Sequence, residues 1–408
     1  MVPLPPRVAL LGLSSWTRRL TSFLGLVQLI HILYLKKGLS WMFASFSPAL
    51  FPTLAQRAGA EAPDPFVLNL QSGLMVASAV LAAVKLRLPD ALSDEPQTVE
   101  ELAEKTDAHA PTLLLLLRAL ASIEIGKEID PEARTFVQTE RSRSLCRQLE
   151  PGMADLVELW GAPYQWRSWW HLDYTVSTGR PALEVLWKMG VTIWDYLDRE
   201  PQERTIFQRG LVANTSLILP AVLASYDFSA IRHLIDVGGG QGSLCLALLS
   251  RSPDLHATLF EQPAVLAQAQ KQVRALPEQV AARYHLEEGD FFVAVPTGAE
   301  CYVLKNVLMD WSDDQYVQIL RRCREAMDPE RGRLLVIEPV LGPDTPFTLF
   351  FSLQMAMLMH AAHHRSLEEH RTLFAQAGFE LCHSVSLGLE QMLLEGRPVE
   401  SEQEGGAA

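Results

Sequence analysis

The 408-residue chain predicts an α/β fold: a doubly wound parallel sheet preceded by a helical, winged-helix-like domain. Three observations lead there. After Ser229, short apolar runs of strand length alternate with helical stretches, the pattern of a parallel sheet covered on both faces. One of these runs passes through a glycine-rich turn directly into a helix, as nucleotide-binding sheets do. Upstream, from Leu68 to about 228, apolar residues recur at helical spacing instead. With 48% apolar and 20% charged residues, the chain can bury a sizeable core and is not a disordered polymer.

The first sixty residues stand apart. They contain no Asp or Glu but carry Arg7, Arg18, Arg19, Lys36, Lys37 and Arg57, a charge of +6 that leaves −19 on the rest. Residues 20–35, LTSFLGLVQLIHILYL, lie uncharged between two basic pairs. At helical rise this stretch covers about 24 Å, short of a comfortable bilayer span. Lys36-Lys37 follows in place of a small-residue cleavage site, which argues against a secretory signal. Three readings stay open: apolar helices packing on a dimer partner, a helix lying in an anionic membrane surface, or an organelle transit peptide.

The segment AGAEAPDPF (58–66) joins this leader to the folded body. Two helical stretches follow, 68–94 and 98–125, the second opening on a capping box formed by Thr98 and Glu101. Its continuation around 110–123 is leucine-rich enough to be buried or to sit at a subunit interface. Residues 128–145 hold short extended pieces that fit a small β-wing. A winged helix often binds DNA, but the net charge of −13 leaves no basic excess for phosphates, so dimerisation is the better reading and no nucleic-acid partner is expected. Residues 151–228 are helical and carry Trp160, Trp166, Trp169, Trp170, Trp187 and Trp194, mostly as expected core, with one or two lining a pocket for a flat or greasy substrate. Five scattered cysteines without a CxxC pair read as reduced thiols, not as a disulfide framework or zinc site.

The runs after Ser229 are HLIDVGGG, HATLFEQ, ARYHLEEGDFF, CYVLKNVL and RLLVIEPV. The strongest local signal is HLIDVGGGQGSLCLALL, 233–249, in which glycines let the backbone turn tightly and approach a ligand beside a helix N-terminus. Such a turn alone does not name its ligand. Glu261 closes the next strand, 25 residues after Asp236, where a carboxylate can take both hydroxyls of a ribose. Gly289-Asp290-Phe291-Phe292 then offers an acid and aromatic faces where an adenine would lie. The glycines do not match GxGxxG, so a dinucleotide is the poorer fit.

DVGGGQG, LFEQP, EGDFF, LKNVLMDWSDD and LLVIEPV, in this order and spacing, resemble the class I S-adenosylmethionine-dependent O-methyltransferases of the caffeate and acetylserotonin type. The resemblance covers roughly residues 66–397. It implies S-adenosylmethionine as cofactor, with Gly238 against its methionine part, Glu261 on its ribose, Asp290 and Phe291 flanking the adenine and Lys305 reaching it from the next strand. The family's usual residue at the Glu261 position is aspartate. The resemblance also implies a homodimer. Charge and periodicity divide the chain into a basic apolar extension (1–62), a winged-helix-like dimerisation domain (63–150), a helical linker and substrate-pocket segment (151–228) and a methyltransferase domain (229–400).

One departure bears on mechanism. The family takes the acceptor's proton with a histidine four residues after the lysine, which here is Met309, and a thioether is no base at neutral pH. The glutamate that steers that histidine aligns with His364. Within MHAAHHRS, His360, His363 and His364 cluster, and a histidine there can accept a proton at physiological pH. His364 is the first candidate for the catalytic role and His363 the second. No fourth ligand can be placed, so no metal is expected. Asp310 resembles a structural feature of the family, and His171 and Asn214 are lesser pocket candidates.

The function expected is O-methylation of a hydroxyl on a hydrophobic small molecule (an isoprenoid, a polyketide or an aromatic secondary metabolite) by a cytoplasmic enzyme, with peripheral membrane association through residues 1–60 a further option. Absence of the histidine and presence of an N-terminal extension are similar to methyltransferases of the hydroxyneurosporene type. The alternatives are C-methylation, a non-methylating reaction that uses the sulfonium charge, such as decarboxylation, hydroxylation or a pericyclic step, and a non-catalytic binding homologue.

Overall fold

The five apolar runs pair side by side as β4 (His233–Val237), β5 (His256–Glu261), β6 (Tyr284–Glu288), β7 (Cys301–Lys305) and β8 (Arg333–Leu341). This is a computed structural model that describes residues 65–147, 152–187 and 192–399. The leader and every reading made of residues 1–60 lie outside the described residues. From Leu70 onward the described chain forms one compact unit.

With β10 (Phe379–Gly388) and β11 (Gln391–Pro398), the strand order is β10-β11-β8-β7-β4-β5-β6, parallel from β8 to β6. The order reverses between β7 and β4, so the ends of these two strands flank the crevice where α/β sheets bind ligands. Ile235, Leu259, Val303 and Val336 are fully buried because helices cover both faces, which is why these strands read as unbroken apolar runs. A two-residue strand, β9 (Arg365–Ser366), pairs with the end of β8.

The antiparallel hairpin of β10 (Phe379–Gly388) and β11 (Gln391–Pro398), which completes the sheet, went unread in the sequence. Its two-residue turn is Leu389-Glu390, with φ of 54° and 58°. Tight hairpin turns need positive φ and normally advertise it with Asn-Gly, so this one carries no local signal. Glu390 is tied down by its carboxylate, which accepts the N–H groups of Phe347 (3.2 Å) and Thr348 (2.7 Å) at the start of the helix Pro346–Leu358.

In the helical part, the helices Pro65–Lys85, Val99–Thr106 and Ala110–Ala121 stand with a three-stranded sheet, β1 (Gln97–Thr98), β3 (Thr135–Val137) and β2 (Lys127–Asp130). The wing is thus real at 127–137, while 140–144 is helical. Thr98 and Glu101 form the capping box read from the sequence. Leu113, Leu117 and Leu120 fill the core beneath, while Leu115 on the opposite face is 68% exposed. The helix Pro201–Ser225 is long and apolar enough to cross a membrane by length and composition, yet it packs on the helices Met153–Trp160 and Ser243–Arg251 and on β10. The tryptophans differ from expectation: none of the six is fully buried, and Trp170 and Trp194 are exposed. All five cysteines are free thiols.

Candidate active site

The glycine-rich turn leaves β4 at Val237. Gly238 has φ +68°, and a Cβ there would stand 3.0 Å from Val307 and 3.6 Å from Phe291, so glycine keeps the floor of the crevice open. Gly239 is required for another reason, since a Cβ would fall 2.3 Å from the Asp236 carboxyl. Glu261 turns back onto the loop: Oε2 accepts the Gly240 N–H at 3.1 Å and Oε1 that of Gln262 at 2.8 Å. Its burial raises the carboxyl pKa despite those bonds.

Asp236 is 1% exposed, and its Oδ1 has no partner. Burial pushes its pKa up to about 6, and the positive charge of Lys305 opposes this. Lys305, at the end of the neighbouring strand, is lowered by burial to about 8 and supported by Asp236. Beside it Asn306 holds φ +53° with its Oδ1 buried and unpaired. Phe291 and Phe292 stack edge-on against Trp311, and Asp290, which is exposed, accepts the Phe292 N–H at 2.8 Å. An open glycine cradle, two buried acceptors without partners, a carboxylate at a strand end and an aromatic wall fit S-adenosylmethionine, whose ammonium and ribose hydroxyls are donors and whose adenine is flat. The structure therefore brings Gly238, Glu261, Phe291 and Lys305 around one crevice, with Asp290 at its exposed edge.

Met309 is 5% exposed and packs with Met355 and Ala362, against which Phe351 and Met359 also lie. Trp160 meets Phe347 and Phe351 edge-on, at 6.1 and 5.5 Å between ring centres. On the other side of Phe351, at 4.7 Å, is the imidazole of His364. These residues form a cluster of thioethers and aromatic rings with one imidazole at its edge.

His364 is 2% exposed. Its Nδ1 lies 2.9 Å from Ser352 Oγ, which also lies 2.8 Å from the Thr348 carbonyl one helical turn back. A serine hydroxyl has one proton. A carbonyl at 2.8 Å can only accept, so Ser352 donates to Thr348 and must accept from His364 Nδ1–H. Nε2 is then the unprotonated nitrogen, a buried acceptor without a partner. Burial, then the charges of His363 and Arg365, lower the imidazole to about 4. His363 is placed differently: its ring is 43% exposed, with Nε2 3.5 Å from Asp313 and Nδ1 3.0 Å from the Ala361 carbonyl oxygen. His360 leans on Glu184 at 3.0 Å. His171 is half-buried between the helices Pro163–Trp170 and Leu172–Thr178, and Asn214 is half-buried on Pro201–Ser225.

A buried network behind Met309 was missed in the sequence. Glu338, 1% exposed, accepts the Met309 N–H at 3.2 Å, and its Oε1 is 3.6 Å from His370 Nε2. His370 in turn meets the Tyr316 hydroxyl at 2.8 Å. Arg365, 1% exposed, donates to Asp313 and to the carbonyls of Leu308 and Trp311, and lies over the Tyr316 ring. Burial raises Glu338 to about 7; burial and then Glu338 raise Asp310 to about 8. The only sequence signal was a glutamate inside the apolar run LLVIEPV, an acid where a fully buried strand should have none. Among the described residues no cluster of three or more His, Cys, Asp or Glu could hold a metal.

Comparison with known proteins agrees with this geometry. Residues 169–380 match the O-methyltransferase domain family and residues 68–148 the O-methyltransferase dimerisation domain. The chain is 34% identical to a phenazine O-methyltransferase, PhzM, of Lysobacter antibioticus over 84% of this chain and 98% of that one. It is 35% identical to a mitomycin biosynthesis 6-O-methyltransferase of Streptomyces lavendulae over 83% of this chain and 94% of that one. Among solved structures it resembles human N-acetylserotonin methyltransferase in complex with SAM, with a TM-score of 0.75, 27% identity and coverage of 84% and 100%.

Proposed function

The chain belongs to the S-adenosylmethionine-dependent O-methyltransferases, and we propose that its acceptor is a hydroxyl on a flat aromatic or polyketide ring system, with His364 as the group that receives its proton. One observation carries the second half of this reading: His364 Nε2 is a buried, unpartnered acceptor beside Phe351, which packs against the cluster of Met309, Met355 and Ala362, and Met309 stands where the usual base would be.

Trp160, Phe347 and Phe351 offer faces and edges to a planar acceptor, and Met309, Met355 and Met359 fill the irregular space around it. The names of the two relatives, which concern a phenazine and mitomycin biosynthesis, support a polycyclic acceptor. On the cofactor side Gly238 gives the backbone room, Glu261 takes the ribose, Phe291 and Asp290 flank the adenine, and Lys305 and Asp236 set the charge at the crevice. S-adenosylmethionine, when bound, supplies an already activated methyl group. The protein's task is then to align the acceptor oxygen and to receive its proton.

The enzyme is a homodimer built on its dimerisation domain. We place it in the cytoplasm, and the uncharged stretch 20–35 between basic pairs supports contact with anionic membrane surfaces as an added property. Division into an extension, a dimerisation domain, a helical pocket segment and a catalytic domain remains the working scheme. The function is tested by incubating the full chain with methyl-labelled cofactor and polycyclic hydroxyl acceptors. Label in a methyl ether and stoichiometric S-adenosylhomocysteine are expected. Tight cofactor binding with no label in any acceptor overturns the reading in favour of a non-methylating reaction.

A further inference from the structure

We propose that this enzyme selects acceptors by the acidity of the hydroxyl it methylates: it takes hydroxyls conjugated to a carbonyl or an aromatic nitrogen, as in hydroxyquinones and enolised diketones, in preference to plain phenols and alcohols. The inference rests on the methyl-transfer reading above and sharpens its substrate class.

The argument starts from what surrounds His364. A histidine that takes a whole proton becomes a cation and needs a nearby negative charge or water to support it. Here Nδ1–H is given to the neutral hydroxyl of Ser352, whose own proton is spent on the Thr348 carbonyl. The helix Pro346–Leu358 otherwise presents the uncharged ring of Phe351. The charged groups that act on His364 are His363 and Arg365, and both oppose a further positive charge. The side chain is 2% exposed, so solvent does not supply the missing support. Glu338, the buried carboxylate of this region, is engaged with the Met309 N–H and lies beside His370 instead. At the position where the family places its base, Met309 accepts no proton.

The site can therefore accept a hydrogen bond easily and a proton only from a strong donor. Against an imidazole lowered to about 4, a phenol of ordinary acidity, near 10, gives up its proton unfavourably by about six powers of ten. A hydroxyl whose anion is delocalised onto a carbonyl or ring nitrogen removes most of that barrier. The step balances as follows. The acceptor oxygen forms its bond to the methyl carbon and the sulfur–methyl bond breaks with its electron pair passing to sulfur; an acceptor that enters as the neutral hydroxyl gives its proton to His364 Nε2, whereas one acidic enough to be ionised at neutral pH reacts as the anion and asks no base of the site.

The test uses the full chain, methyl-labelled cofactor and a set of naphthalene-sized acceptors at neutral pH, from a 2-hydroxy-1,4-naphthoquinone to a plain naphthol. The naphthol is expected to have a kcat/KM at least about tenfold below that of the hydroxyquinone; a smaller difference, or the reverse order, overturns the inference. Met309→His, checked for folding by its melting curve, restores a base and should raise the naphthol's kcat/KM by about tenfold more than the hydroxyquinone's. An equal effect on both overturns it as well. Failure to label any acceptor removes the methyl-transfer reading itself, and this inference with it, whereas a flat series removes only the inference.

Discussion

Glu338 accepts the main-chain N–H of Met309 through Oε2 at 3.2 Å, from a position 1% exposed to solvent. The contact uses the backbone of residue 309 and not its side chain. The Met309 carbonyl is held too, by the His363 N–H at 3.1 Å. Position 309 is thus fixed in place whatever side chain it carries, and the consequences can be measured.

Met309 itself should behave as packing. Met309→Leu keeps the volume and should cost less than about 1.5 kcal/mol, while Met309→Ala opens a cavity and should cost about 2–5 kcal/mol. Urea unfolding reads both. Methyl transfer should persist in each, because no proton was lodged on the thioether. Loss of all label incorporation in a folded Met309→Leu protein would contradict that role.

His364→Ala should lower turnover at least about tenfold with cofactor affinity nearly unchanged. Ser352→Ala should lower kcat/KM by a smaller factor, about three- to tenfold, because the imidazole keeps its place against Phe351 but loses the partner that sets its tautomer. An unaltered pH–rate profile and rate in both variants would remove the dyad from the mechanism.

Arg365 should tolerate no conservative change. It is 1% exposed and donates to Asp313 and to the carbonyls of Leu308 and Trp311, a fork that lysine cannot reproduce. Arg365→Lys should destabilise the fold by about 3–5 kcal/mol, read as a fall in the denaturation midpoint. A loss under about 1 kcal/mol would show that the loop 308–311 is held by something else.

The buried acids make a pH prediction. Glu338 and Asp310 are raised by burial to about 7 and about 8, so above their unfolded values near 4 the native state holds protons that the unfolded chain has released. That part of the stability is complete below pH 4 and is lost as pH rises through 7 and 8. His364 and His370, lowered to about 4 and about 3, act in the opposite sense below pH 6.5, where the unfolded chain binds more protons. The two effects oppose each other between about 4.5 and 6.5; above that range the acids dominate up to about pH 8, where Lys305, itself lowered to about 8, begins to act in the opposite sense. The melting temperature should therefore fall between pH 6.5 and 8, and Glu338→Gln should flatten the decline. An unchanged slope in that variant would remove Glu338 as its source.

How much was legible in the sequence follows the physics of each signal. The strands β4 to β8 were visible because strands buried on both faces must be apolar throughout. The cradle was visible because only glycine satisfies the positive φ of Gly238 and the close approach of Asp236 at Gly239. The hairpin β10–β11 was not, since its turn is made by Leu389 and Glu390. Nor could the Ser352–His364 bond be foreseen, because it depends on which face of the helix Pro346–Leu358 meets the chain after it, and that helix is apolar nearly all round. His363 and His364 are neighbours in sequence with opposite environments, one 43% exposed on Asp313 and the other buried on Phe351, a difference that composition alone does not carry.

The Leu389-Glu390 turn has one more implication. Glu390 accepts the Phe347 and Thr348 N–H groups at the start of the helix that carries Phe351, Ser352 and Met355, so the far edge of the sheet acts as a bookend for the helix on which the proposed acceptor pocket is built. The hairpin itself carries none of the site residues named above. An insertion or deletion of one residue at its tip would nevertheless slide that helix along its axis and resize the pocket, leaving the glycine cradle as it was. Acceptor choice could in this way drift between related enzymes through a surface turn while the cofactor site stayed still.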